Sequence, residues 1–121
     1  MHDIINSSTL VYRFSETHCN DCIEEQFMTL KNIDYRKPEN VILLSSFSSI
    51  KKIRILKDTY ELKYDLYNLR GINIPSDSLS KPYFFVIDPD LTCHSFFVPI
   101  SELPLLTRQY LSTVKQKINT K

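Results

Sequence analysis

The stretch Leu10-Val11-Tyr12-Arg13-Phe14-Ser15-Glu16-Thr17-His18-Cys19-Asn20-Asp21-Cys22 decides how the chain is read. Its first five residues are apolar or aromatic apart from Arg13, too short a run for a helix and rich in β-formers, which predicts a strand. From Cys19 onward the apolar positions are Cys22, Ile23, Phe27 and Leu30, the spacing of a helix resting on a core. Ser15 and Thr17 are available as caps, and Asp21, Glu24 and Glu25 suit the positive end of that helix. Two cysteines at CxxC spacing therefore stand where a strand hands over to a helix.

Working outward, the first helix stops before Pro38, and Val41-Ile42-Leu43-Leu44 is a continuous apolar run, as in a parallel strand covered on both faces. Serines 45, 46, 48 and 49 offer caps for a second helix over about Ile50 to Tyr60. Residues 62–69 are ambiguous between a helix tail and an extended segment, and Gly71 to Lys81 reads as a loop. Tyr83 to Ile87 predicts a strand that ends in the turn Asp88-Pro89-Asp90, and Leu91 to Val98 returns as its hairpin partner. A last helix opens at Ser101, with Leu103, Leu106, Tyr110, Val114 and Ile118 on one face. A βαβ unit requires a right-handed crossover between parallel strands, and the hairpin adds antiparallel pairing. The expected fold is α/β: a mixed sheet built from a βαβ unit plus a C-terminal β-hairpin and helix, with helices on both faces.

Composition narrows the function. At 121 residues the chain is long enough for one self-sufficient core, and we assign 1–8 as a flexible lead-in and 9–121 as a single domain. A net charge of +1 leaves no electrostatic footprint for nucleic acid, and Lys51-Lys52-Ile53-Arg54 reads as a solvated helix face. The single glycine, Gly71, excludes Gly-rich phosphate loops. No apolar run approaches the ~18 residues of a membrane span. Met1 to Asn6 lacks the basic and apolar regions of a signal peptide, so either the protein works in the cytoplasm or an export or tether segment lies outside these residues.

Three cysteines cannot all pair within one chain, and two at CxxC spacing with one far away suggest redox or metal chemistry. Thiol–disulfide exchange requires a thiolate. At a helix N-terminus, unpaired N–H groups and the helix dipole lower a cysteine's pKa, while a second cysteine one turn later can resolve a mixed disulfide. Cys19 holds the first position, and Cys22 the second, more sheltered one. A zinc set of Cys19, Cys22, Cys93 and His94, with His18 near, fails on topology. Cys93 begins the return strand at the far end of the hairpin, on the order of 15 Å from Pro82 at ~3.3 Å per residue. We expect no metal and no cofactor, with Cys93 a partly buried strand residue.

Residues 10–22 resemble the strand, loop and CxxC of thioredoxin-like proteins. Cys22-Ile23-Glu24-Glu25 is similar to the helix start of the TlpA/ResA-type reductases, whose pattern carries an acid three residues after the second cysteine, here Glu25. Ser80-Lys81-Pro82-Tyr83-Phe84-Phe85-Val86-Ile87-Asp88 resembles the segment in which that family sets a cis-proline against the CxxC. The resemblance spans roughly residues 9–118. It implies a thiol–disulfide oxidoreductase with Cys19, Cys22, Pro82 and Glu25 as its site and a cis Lys81–Pro82 peptide. It further implies protein disulfide substrates, a redox donor protein, and an extracytoplasmic location, periplasmic or membrane-tethered. We expect a monomer.

The chain departs from the family in three places. His18 replaces the tryptophan before the first cysteine, no proline lies between the cysteines, and Arg13 occupies the position of thioredoxin's buried acid. A guanidinium cannot shuttle a proton. Glu25 is then the candidate acceptor for the Cys22 proton, with Arg13 a plausible partner for it. His18, Lys81 and Arg13 favour a Cys19 thiolate and Asp21 with the helix acids opposes it, so the thiol is expected to be only mildly perturbed and the protein a reductant. The alternative is a thioredoxin-fold interaction module with a non-catalytic CxxC, binding through Tyr83, Phe84, Phe85, Phe96 and Phe97.

Overall fold

The run Thr9–Ser15 forms strand β1, and it lies in the middle of the sheet. The structure is a computed structural model in which residues 8–15, 20–31, 41–47, 49–61, 64–68, 81–100 and 102–119 are described. The remaining elements are α1 (Asn20–Lys31), β2 (Val41–Ser46), α2 (Ile50–Thr59), β3 (Asp65–Asn68), β4 (Tyr83–Ile87), β5 (Cys93–Phe97) and α3 (Pro104–Asn119). Sheet order is β3-β2-β1-β4-β5. β1 pairs parallel to β2, with Leu10 opposite Val41, and antiparallel to β4, with Arg13 opposite Tyr83.

Alternation along β1 divides its side chains between two cores. Leu10, Tyr12 and Phe14 join Val41, Leu43, Phe84 and Val86 on one face, under Ile23, Phe27 and Leu30 of α1, Ile53 of α2, and Leu111 and Val114 of α3. Val11 joins Ile42, Leu44, Tyr83, Phe85 and Ile87 on the other. Helices were expected on both faces, but all three described helices contribute to the first face and none to the second. The strand order explains this. The chain steps from β1 to β2 to β3 in one direction, and two right-handed crossovers of the same sense put α1 and α2 on the same side.

The ambiguous segment 62–69 resolves in part as β3, a four-residue parallel strand beside β2. Its last residue fastens it: Asn68 Oδ1 accepts from Phe47 N–H at 2.7 Å and Ser45 Oγ–H at 3.0 Å, and Asn68 Nδ2 donates to Phe47 O at 2.9 Å. Ser49 is the N-cap of α2, as its position suggested, but its hydroxyl makes no capping bond. Pro89 and Asp90 form the hairpin turn, closed by Leu91 N–H to Asp88 O at 2.8 Å. Leu91 takes a left-handed φ of 69°, so β5 begins later than expected, at Cys93. A bulge then places two residues of β5, Ser95 and Phe96, against Phe85 alone, with Ser95 at φ 60°. α3 starts at Pro104, and its buried side chains are Thr107, Leu111 and Val114, with Tyr110 half-buried. Leu103 and Leu106, expected inside, are exposed, and the side chain of Ile118 lies outside the described residues. Both stripes share Tyr110 and Val114, so helical spacing alone did not separate them.

Phe27 is the hub of the larger core, edge-on to Tyr12 at 5.8 Å and to Phe14 at 5.2 Å, and 5.7 Å from Tyr60. Phe27→Ala is expected to cost about 3–5 kcal/mol, read as a lower urea midpoint. Burial also raises the pKa of Tyr12 and Tyr110 in the folded state. The unfolded chain ionises these phenols near pH ~10, so their contribution is complete below that pH and is lost as pH rises towards the higher folded values. Tyr110→Phe should flatten this alkaline loss of stability, measured by denaturation between pH 9 and 11.

Candidate functional site

The antiparallel register of β1 and β4 assembles the site. Arg13 lies opposite Tyr83, so Pro82, just before β4, is brought to the C-terminal end of β1, the end from which the chain runs on to α1. Asn20 is the first residue of α1, Cys22 lies in its first turn, and Asp21 supplies a negative charge at the positive helix end. Cys19 lies outside the described residues, as do Thr17 and His18. Cys22 is half-buried and lines a cavity of about 150 Å³ together with Gln26, Lys81, Pro82, Pro99, Ile100 and Glu102. Pro82 is buried in the wall of that cavity.

Its peptide bond is not as expected. No described peptide bond is cis, so Lys81–Pro82 is trans. Trans is the lower-energy isomer of an X–Pro bond by about 0.5–1 kcal/mol, and in this isomer Pro82 lines the same cavity as Cys22.

Glu25 is half-buried on α1, three residues after Cys22. Its expected partner was Arg13, but strand alternation turns Arg13 to the side of Val11, away from α1. Arg13 is 3% exposed, and its guanidinium donates to Phe14 O at 3.0 Å, Leu44 O at 3.5 Å and Ser46 Oγ at 3.0 Å. Among the described residues Lys31 pairs with Glu61 and Asp88 Oδ2 lies 3.0 Å from His94 Nε2, and no Arg13–Glu25 pair is found. The group under the first turn is instead Tyr12. It is fully buried, its phenol donates to Ile23 O at 3.1 Å, and its pKa is raised by burial first and then by negative charge at Cys22 and Glu25.

Sequence reasoning missed Tyr12, Gln26, Pro99, Ile100 and Glu102. The signals for the first two were present: Tyr12 alternates with Leu10 and Phe14 under the helix, and Gln26 is one helical turn beyond Cys22. Gln26 is 5% exposed, and its Oε1 has no hydrogen-bond partner among the described residues. The residues on the β5–α3 connection carry no local motif and reach the cavity only through the fold.

Cys93 pairs with Ile87 at the hairpin end of β4, away from Pro82. It is exposed, where partial burial was expected, because β5 is the outer strand of the described sheet. Partial desolvation and the Asp88 carboxylate raise its pKa and hold it as a thiol. The hairpin aromatics are mostly packing: Tyr83, Phe84 and Phe85 are buried and Phe97 is half-buried against Tyr110, which leaves Phe96 exposed.

No protein-family model matches the chain, and no curated protein matches it in sequence. Solved structures do share its backbone. A thiol:disulfide interchange protein from Bacteroides sp. aligns with TM-score 0.63 at 16% identity, over 98% of this chain and 78% of that one. A secreted thiol-disulfide isomerase from Corynebacterium glutamicum gives 0.57 at 13%, over 87% and 70%. A secreted disulfide oxidoreductase from Mycobacterium tuberculosis gives 0.55 at 13%, over 82% and 74%. At these identities the likeness is one of fold.

Since Cys93 is exposed but held protonated, alkylation by iodoacetamide should be slow at pH 7 and accelerate as pH rises. A Cys93→Ser variant analysed by mass spectrometry assigns that slow phase.

Proposed function

We propose that this chain, which has the thioredoxin-like fold, is a thiol–disulfide oxidoreductase that reduces protein disulfides through Cys19 and Cys22. The observation that carries the reading is the placement of Cys22 in the first turn of α1, at the wall of a cavity it shares with Pro82. The solved structures with the same backbone are described as thiol–disulfide enzymes, which supports it.

In this reading the Cys19 thiolate attacks a substrate disulfide. A Cys19–substrate bond forms, and the first substrate sulfur leaves with the electron pair. Cys22 then loses its proton to Glu25 and attacks the Cys19 sulfur. The Cys19–Cys22 bond forms, and the second substrate sulfur leaves as a thiolate. Two electrons pass to the substrate, and a dithiol donor protein returns them to the Cys19–Cys22 disulfide. No cofactor or metal enters this cycle. Pro82 forms part of the wall against which the substrate chain lies, and the protein acts as a monomer. The Mycobacterium tuberculosis and Corynebacterium glutamicum proteins are secreted. We place this chain likewise outside the cytoplasm, in a periplasm or on a membrane tether, with the cytoplasm as the alternative.

The test is insulin reduction driven by dithiothreitol, with thiol trapping of the enzyme. Cys19→Ser and Cys22→Ser should each abolish turnover, and Cys93→Ser should leave it nearly unchanged. Equal losses from all three would overturn the assignment. Glu25→Gln should slow resolution of the mixed disulfide by roughly 10²-fold, the lower end of a positioned base's contribution, and shift its pH dependence while sparing the first attack. Stopped-flow kinetics on a labelled disulfide peptide separates the two steps. An interaction module would show neither turnover nor a reducible Cys19–Cys22 bond.

A further inference from the structure

Two tyrosines donate to main-chain carbonyls of α1, one near each end, while Tyr60 Oη bonds the Glu24 side chain. Tyr64 Oη donates to Leu30 O at 3.2 Å, and Tyr12 Oη donates to Ile23 O at 3.1 Å. The first bond is remote from the thiol. The second falls on the residue directly after Cys22. An α-helix already directs the N–H of Phe27 at the Ile23 carbonyl, so Tyr12 adds a second donor to that group. The ring that delivers it is fixed: it stacks on Phe84 at 4.8 Å and on Phe14 at 5.1 Å, meets Phe27 edge-on, and is fully buried. Negative charge at Cys22 and at Glu25 both bear on the phenol oxygen, which sets all three groups within electrostatic reach of one another.

We propose that Tyr12 is a positioning residue for disulfide exchange, holding the Ile23 carbonyl and with it the turn from which Cys22 attacks. The inference rests on the oxidoreductase reading and deepens it. In the resolving step the Cys22 sulfur must meet the Cys19–substrate bond in line. The rate of such an intramolecular step follows the fraction of time spent in attack geometry. β1 supplies a rigid post, and its hydroxyl restrains the helical turn that carries the attacking sulfur. In that reading Glu25 remains the proton acceptor, and the Tyr12 hydroxyl acts on the main chain at Ile23.

Tyr12→Phe keeps the ring stack and removes the hydroxyl. Wild type and variant are equilibrated against glutathione with thiol trapping, and the lifetime of the Cys19–substrate mixed disulfide is measured by rapid quench. The variant is expected to show at least a threefold lower equilibrium constant for Cys19–Cys22 disulfide formation and a similarly longer mixed-disulfide lifetime, with first attack unchanged. Tyr64→Phe, which removes the same kind of bond from the far end of α1, should alter stability but neither readout. A Tyr12→Phe protein with the wild-type equilibrium constant and lifetime overturns the proposal, whatever its Tm. So does a Tyr64→Phe protein that matches Tyr12→Phe in both. A wild type that forms no Cys19–Cys22 disulfide overturns the oxidoreductase reading and this role together, which distinguishes the two failures.

Discussion

β1 is hydrogen-bonded along both edges, and that double pairing governs the molecule. Its parallel bond to β2 requires a crossover, which α1 provides. Its antiparallel bond to β4 returns the chain so that Pro82 arrives where β1 ends. A shift of one residue in the β1–β4 register would turn Phe84 and Phe85 to the wrong faces. The two aromatic cores therefore protect the register, and the register keeps Pro82 at the cavity that Cys22 also lines.

Arg13 takes its meaning from the same strand. It stands where the resemblance leads one to expect a buried acid, yet its donors go to Phe14 O, Leu44 O and Ser46 Oγ at the ends of β1 and β2. A cation held by two main-chain carbonyls and a serine hydroxyl serves as a structural clasp on two parallel strands. In the proposed reaction proton handling falls to the helix side of β1, where α1 carries Cys22 and Glu25 and Tyr12 lies beneath its first turn. The strand thus separates the two tasks by face, with the clasp on one side and the thiol's surroundings on the other.

The parts of this fold that could be read from residues are those with strong local periodicity. β1, β2 and β4 are built on short apolar runs, broken in β1 only by Arg13, and α1 carries its stripe over three turns. β3 was ambiguous because four residues cannot display a period, and what fixes it is the long-range bonding of Asn68 to Phe47 and Ser45. The stripe of α3 was misjudged at Leu103 and Leu106, since two faces sharing Tyr110 and Val114 differ only in their tertiary partners. Of the residues lining the cavity, Cys22 and Pro82 could be named because spacing and resemblance marked them, while Glu25, marked in the same way, is not among them. The trans geometry of Pro82 could not be, as an isomer is selected by surroundings no dipeptide records. Pro99, Ile100 and Glu102 were silent for a similar reason: they are neighbours of Cys22 only after β5 has turned back.

The kink at Ser95 has a meaning for the chain's solubility. β5 is the outer strand of the described sheet, and an outer strand offers unpaired N–H and C=O groups to any passing extended chain. Here the left-handed residue breaks the even spacing of those groups, and Tyr110 Oη takes up the Ser95 carbonyl at 2.6 Å. Phe96, although exposed, lies stacked on Phe85 at 5.1 Å and belongs to this sheet. A straight β5 would present a regular hydrogen-bonding ladder beside an aromatic ring, the combination from which intermolecular sheets grow. The bulge makes β5 a poor template for strand addition.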